Sequence, residues 1–181
     1  MKLFKSIVTT ILLIFALVIA GCGGDKIAGT WYAIDGDELQ EFIIEKHNDT
    51  YLMTATKYKF EKWYLPGGKI KMDLDSKLKK ENIFSKQNIT FKDDVISYPL
   101  MFGQSANLIY KDKTIRGNIY GSFSKTECVY KKSDDVKLDD LIKQLEEKEK
   151  ARLKNVLDPS SKINFIVDQN LFKNNNAQSN S

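Results

Sequence analysis

The side chains able to do chemistry in this 181-residue chain are few, and their spacing does not serve catalysis. His47 is the only histidine, so any His-dependent triad or proton relay rests on it. It sits beside the turn signal Asn48-Asp49, which predicts a solvated loop residue. Asp35-Gly36-Asp37-Glu38 opens like a calcium loop, but Lys46 stands where the closing glutamate belongs, so a hairpin turn accounts for it better. The acidic pairs Asp93-Asp94 and Asp139-Asp140 fall at a turn and near a helix start, not at the facing strand positions a glycosidase needs. Nucleophile elbows, phosphate-binding glycine loops, His-Glu-x-x-His helices and Cys-x-x-Cys pairs are all missing. These observations predict a chain that is not an enzyme and that uses neither metal nor cofactor. What remains is aromatic: Tyr58, Phe60, Trp63, Tyr64, Tyr98 and Phe102 gather in mid-sequence. Of these, Tyr58, Phe60, Trp63, Tyr98 and Phe102 are the candidate lining of a cavity for an apolar ligand. The same rings would equally well fill the interior of a small barrel.

Upstream of these residues lies an address. Lys2 and Lys5 precede an apolar run over residues 7–20 that ends on small residues, the pattern of a charged n-region, an apolar h-region and a cleavage site. As a helix the run would rise about 21 Å, short of the roughly 30 Å hydrocarbon core, so it reads as a removable export signal. Ile19-Ala20-Gly21-Cys22 resembles the lipobox of bacterial lipoproteins. That resemblance implies lipidation of Cys22 after removal of residues 1–21, and attachment to the cell membrane or outer membrane on the extracytoplasmic side. Two or three acyl chains make such attachment essentially permanent. Residues 22–26 would then form a very short lipidated tether. Cys128 is left without a partner in the chain, and the expectation is a buried thiol acting as a small hydrophobe.

Of 28 basic residues against 24 acidic ones, Lys2 and Lys5 lie in the leader, so the rest carries a balance of only +2. A chain so close to neutral has no electrostatic reason to bind nucleic acid.

Residues 27–132 read as short strands separated by turn signals at Asp35-Gly36-Asp37, Asn48-Asp49, Pro66-Gly67-Gly68, Lys92-Asp93-Asp94 and Lys111-Asp112-Lys113. Ile70, Met72 and Leu74 alternate with charges. Ile115, Gly117, Ile119, Gly121 and Phe123 make a second alternating face. The prediction is a mainly β fold: an antiparallel meander of eight or nine strands closed into a barrel, with residues 77–84 left as a loop or helical turn. After Lys132 the period changes. Leu138, Leu141, Ile142, Leu145, Leu153, Val156 and Leu157 follow helical spacing up to Asp158-Pro159, acids first and bases last, as the macrodipole favours. This predicts a C-terminal helix packed outside the barrel. Its charged interruption at residues 146–150 leaves open a face for a partner. Residues 163–167 are a last strand of the same domain (133–167), and the Asn/Gln/Ser-rich residues 168–181 read as disordered.

Gly29-Thr30-Trp31 before the meander, with a helix after it, resembles the lipocalin-like domains of small bacterial lipoproteins. In that family the glycine permits a close turn and the tryptophan plugs the closed end under a basic side chain. The resemblance implies these roles for Gly29 and Trp31, a covering role for Lys131, and pairing of residues 163–167 with the first strand. The expected function is a lipid-anchored, non-enzymatic envelope module that binds a small apolar ligand or an envelope component. The alternative is a protein-interaction module, an inhibitor or surface-exclusion lipoprotein, acting through the C-terminal helix or the outer barrel face.

Overall fold

In the computed structural model, which describes residues 25–62 and 69–173, the turn signals at Asp35-Gly36-Asp37, Asn48-Asp49, Lys92-Asp93-Asp94 and Lys111-Asp112-Lys113 close hairpins, and Pro66-Gly67-Gly68 lies outside the described residues. Asp93 and Asp94 both take left-handed φ, as do Asp112 and Lys113. Such paired left-handed residues match the twist of the strands they join. The strands are β1 (Gly29–Asp35), β2 (Glu38–His47), β3 (Thr50–Phe60), β4 (Leu74–Lys92), β5 (Val95–Pro99), β6 (Ser105–Lys111), β7 (Thr114–Gly117) and β8 (Cys128–Lys132). Each pairs antiparallel with the next, and β8 returns to β1, so the meander closes into an eight-stranded barrel without free edges.

Residues 77–84 are strand after all. They lie within the 19-residue β4, paired to β3 with register shifts around Ala55 and Thr56. A bulge adds an unpaired residue and sharpens the local twist, which disguises the period-two pattern in sequence. β7 stops at Gly117, so the predicted alternation to Phe123 breaks into a turn there. The ninth strand, β9 (Ile163–Ile166), lies outside the barrel and pairs in parallel with the start of β4, Leu74 opposite Ile163. It does not pair with β1, because both edges of β1 are already taken by β2 and β8.

The interior at the end where β1 begins is solid. Trp31, Phe42, Ile44, Met53, Ile89, Ile96, Leu108, Ile115 and Tyr130 pack into one cluster. Trp31 is 1% exposed, and its indole Nε1 donates to the Ile27 carbonyl at 2.8 Å. The basic cover on its ring is Lys132, whose Nζ lies 5.7 Å from the ring centroid, and not Lys131. Alternation decides this: Lys132 is the register partner of Trp31 and shares its inward face, whereas Lys131 lies opposite Tyr32 and faces outward. Gly29, at φ +128°, makes room for that lysine, since a Cβ there would stand 2.8 Å from Lys132 Cε.

Asp25 clasps the same end. Its carboxylate accepts from the Ile27 and Ala28 amides at 3.2 and 3.3 Å and from the Tyr51 hydroxyl at 2.6 Å, and it ion-pairs with Lys46 at 3.1 Å. Burial alone would raise its pKa, but these partners outweigh it and hold the carboxyl below the usual carboxylate range.

A second apolar layer covers the outside of the barrel. The helix α1 (Leu138–Leu153) buries Ile142, Leu145 and Leu153, with acids in its first turn and Lys150 and Arg152 in its last. The charged interruption does not break the packing, because buried Glu149 accepts two bonds from Arg152, at 2.6 and 2.7 Å. The helix ends at Leu153, short of Asp158-Pro159. Asp158 amide nitrogen instead donates to Ile70 O, carrying the chain into β9. Residues 169–172 form a 3-10 turn from which Phe172 stacks on Tyr58 with centroids 4.5 Å apart. Residues 174–181, the leader and Cys22 lie outside the described residues.

Two outcomes follow. Lys132→Ala should lower folding stability by about 0.5–1 kcal/mol in urea denaturation, while Lys131→Ala leaves the midpoint unchanged. Asp25 has a lowered folded-state pKa, so its contribution is complete above the ordinary carboxyl value near 3.8 and is lost as pH falls through the lower folded value. The deficit of Asp25→Asn in urea midpoint is therefore constant from pH 7 to 5 and shrinks below pH 4.

Candidate functional site

Away from the Trp31 end the barrel opens. Bonding between β4 and β5 covers only Thr90, Phe91 and Lys92. Beyond it the strands part, bridged by a bond from Gln87 Nε2 to the Pro99 carbonyl. The opening is a cavity of about 850 Å³ between mid-β4, the β5–β6 loop and the β7–β8 loop. Ile83, Phe84, Leu100, Met101, Ile119 and Phe123 supply its apolar wall. Asp35, Gln87, Tyr120 and Ser124 supply the polar part. That volume is typical of pockets for small organic ligands.

Met101 and Phe123, which line this mouth, are 75% and 59% exposed, and Phe102, next to Met101 in the β5–β6 loop, is 90% exposed. Phe102 is held at φ +61°, a left-handed conformation unfavourable for a bulky residue. The apolar rim is thus maintained against both solvent and backbone preference. Gly121, at φ +57°, lets the β7–β8 loop lie on Leu100, whose Cδ1 would stand 2.8 Å from a Cβ there.

A polar belt forms the floor beneath the cavity. The Tyr130 hydroxyl donates to Gln40 Oε1. Gln40 Nε2 donates to Glu38 Oε1 at 3.0 Å and to Asp35 Oδ2 at 3.3 Å. Asn118 Nδ2 donates to the same Asp35 oxygen at 2.9 Å, and the Tyr120 hydroxyl to Glu38 Oε1 at 3.0 Å. Tyr98 is buried beside Phe84, its hydroxyl donating to the Ile119 carbonyl at 2.7 Å. Cys128 is a free, buried thiol in this belt, pushed up to about 11 by burial and then by the charge of Asp35. It has the character of a small hydrophobe and not of a nucleophile.

The five aromatic candidates do not converge. Tyr98 lies in the barrel core beside the lining residue Phe84, Phe102 is exposed next to Met101 without lining the cavity, and Tyr58 and Phe60 face outward. They pack against Phe172 and Phe165 beneath the C-terminal segment, because in β3 they alternate with Lys57 and Lys59. The lysines take the inner wall near the mouth, where Lys57 pairs with Glu38 and Glu81 at 3.8 and 3.3 Å and Lys59 with Glu81 at 2.7 Å. Trp63 lies outside the described residues. Ile83, Leu100, Met101, Ile119, Tyr120 and Phe123 were missed as cavity residues. Ile83 sits in β4 beside its register shifts, Ile119 and Phe123 carry a strand-like alternation that the structure breaks after Gly117, and Leu100, Met101 and Tyr120 lie in turn segments.

His47 is exposed, 3.6 Å from Glu45 at the end of β2. Asp35-Gly36-Asp37-Glu38 is the β1–β2 hairpin. No cluster of metal-ligating side chains occurs among the described residues, and no helix among them is long and apolar enough to cross a membrane. Taken together, the fold and this site define a closed β-meander with a solid base and an apolar, partly open mouth. Compared with known families, curated proteins and solved structures, the chain matches none.

Phe102→Gly relieves the left-handed strain, so it should raise folding stability by roughly 0.5–1 kcal/mol. The same substitution should weaken retention of an apolar ligand severalfold. Urea denaturation and dye titration of one variant check both signs.

Proposed function

We propose that this chain is a lipid-anchored lipoprotein of the cell envelope whose barrel is a non-enzymatic binding module for a small apolar ligand. The single observation that carries the binding half is the 850 Å³ mouth cavity with Met101 and Phe123 exposed at its rim. A purely structural barrel gains nothing from exposed aromatic side chains at an opening. The anchoring half rests on the leader and on the resemblance of Ile19-Ala20-Gly21-Cys22 to a lipobox.

Geometry gives the two halves one arrangement. Asp25 is bonded into the solid end of the barrel, and only three residue steps, at most about 11 Å, separate it from Cys22. A lipidated Cys22 would hold that end against the bilayer. β1 runs seven residues from there to the mouth, roughly 20 Å, so the cavity would face the aqueous side of the envelope. Ligands met in solution suit this placement better than lipids taken from the anchoring leaflet. The rival reading, a partner docked on the helix, draws less support, because Ile142, Leu145 and Leu153 are already buried against the barrel.

The test uses residues 23–181, which contain every element described, and the neutral dye N-phenyl-1-naphthylamine. Saturable binding is expected with micromolar affinity, weakened about tenfold or more by the double variant Phe123→Ser, Leu100→Ser. Absence of saturable binding, or binding indifferent to that variant, contradicts the reading.

A further inference from the structure

The cavity has a charge of one sign. Among the described residues that line it, Asp35 is the only carboxylate and there is no lysine, arginine or histidine. The cations nearest the belt are already paired with other carboxylates: Lys57, whose Nζ lies 5.9 Å from the Tyr120 ring centroid, bridges Glu38 and Glu81, and Lys59 bonds Glu81. Asp35 has no ion-pair partner within 4.0 Å among the described residues. Its hydrogen bonds come from the neutral amides of Gln40 and Asn118, and both converge on Oδ2. The carboxylate is therefore oriented by its partners but not neutralised by them. Within the connected group of Asp35, Glu38, Glu81, Lys57 and Lys59, three carboxylates face two ammonium groups. The Tyr120 phenol is pushed up by burial and then by Glu38, Asp35 and Glu81, and the Cys128 thiol by burial and then by Asp35.

An anionic head group in such a site would lose its water and meet a carboxylate. A cationic head would gain a charge-assisted hydrogen bond to an acceptor already fixed in place. We infer that the mouth cavity selects an amphiphile with a cationic ammonium head, seated at Asp35, and an aliphatic or aromatic body against Ile83, Phe84, Leu100, Ile119 and Phe123, and that it rejects fatty-acid carboxylates.

This inference rests on the apolar-ligand reading above and deepens it, and a chain-matched series separates the two. Dodecylamine, dodecanol and dodecanoate, each below its aggregation concentration at pH 7, compete with N-phenyl-1-naphthylamine on residues 23–181. Dodecanol reports on the apolar wall alone. The amine is expected to bind about tenfold or more tighter than the acid, with the alcohol between them. In Asp35→Asn, which retains an acceptor for Gln40 and Asn118, amine and acid should come within about threefold of each other. Equal or tighter binding of dodecanoate in the native protein overturns the inference yet leaves the apolar-ligand reading standing. A preference for the amine that survives in Asp35→Asn also overturns it. Failure of all three compounds, dodecanol included, defeats the apolar-ligand reading and the inference with it. The native amine-to-acid ratio is decisive whether or not the variant folds.

Discussion

The whole structure depends on closing the meander between its first and last strands, and that seam has the shortest ladder in the barrel. β1 pairs with β2 along seven residues but with β8 at only two positions, Trp31 with Lys132 and Tyr32 with Lys131. An open meander would leave two strand edges unpaired and its apolar face half solvated. Side chains make good what the backbone leaves out. At the base, Trp31 fills the end of the barrel, held by Ile27 from within and crossed by Lys132. Toward the mouth, where β1 and β8 diverge, Asp35, Gln40, Asn118 and Tyr130 carry hydrogen bonds across the gap. Gly29 belongs to the same device, since any larger residue would displace the lysine from the tryptophan.

The seam also explains why one barrel holds both a dense core and a cavity. Its lower half is filled by side chains alone, as the small circumference of eight strands allows. In its upper half the strands separate at β1–β8 and at β4–β5, so the interior there cannot be filled from the walls. The polar belt divides the two regions. It completes the hydrogen bonding of buried groups below and presents Asp35 and Tyr120 to the space above. Residues that close the fold therefore also furnish the polar part of the site. The second layer, α1 and β9, braces the same region from outside by covering Tyr58, Phe60 and Leu78. Among the described residues one carboxylate is incompletely served by this arrangement. Glu41 is buried beneath that layer, with Oε1 bonded by Tyr58 at 2.9 Å and Oε2 without a partner.

Much of the fold was legible because its causes are local. Period-two alternation marked the strands, Asp-Asp and Asp-Lys pairs tolerant of left-handed φ marked the hairpins, and helical spacing with sorted charges marked α1. The site was less legible because its causes are not local. Tyr58 and Phe60 looked like lining, yet their alternation with Lys57 and Lys59 puts them on the other face once the mouth is wet and the outer wall is covered. Lys131 and Lys132 are adjacent in sequence and on opposite faces in space, and only the register to Trp31 decides between them. Ile83 and Phe84 sit where bulges scramble the period of β4, Leu100 and Met101 sit in a loop that has no period, and Phe123 keeps a strand-like alternation in sequence although β7 ends at Gly117.

The central claim is that ligand space and structural core are separate compartments of one barrel. Methyl-detected NMR during a dodecanol titration tests it most directly. The account predicts saturable shifts at Ile83, Leu100, Met101 and Ile119, with Met53, Ile96 and Ile115 in the solid half nearly unmoved. Shifts centred instead on Leu74, Leu145 and Leu153 in the outer layer, or no saturable shift anywhere, would contradict it.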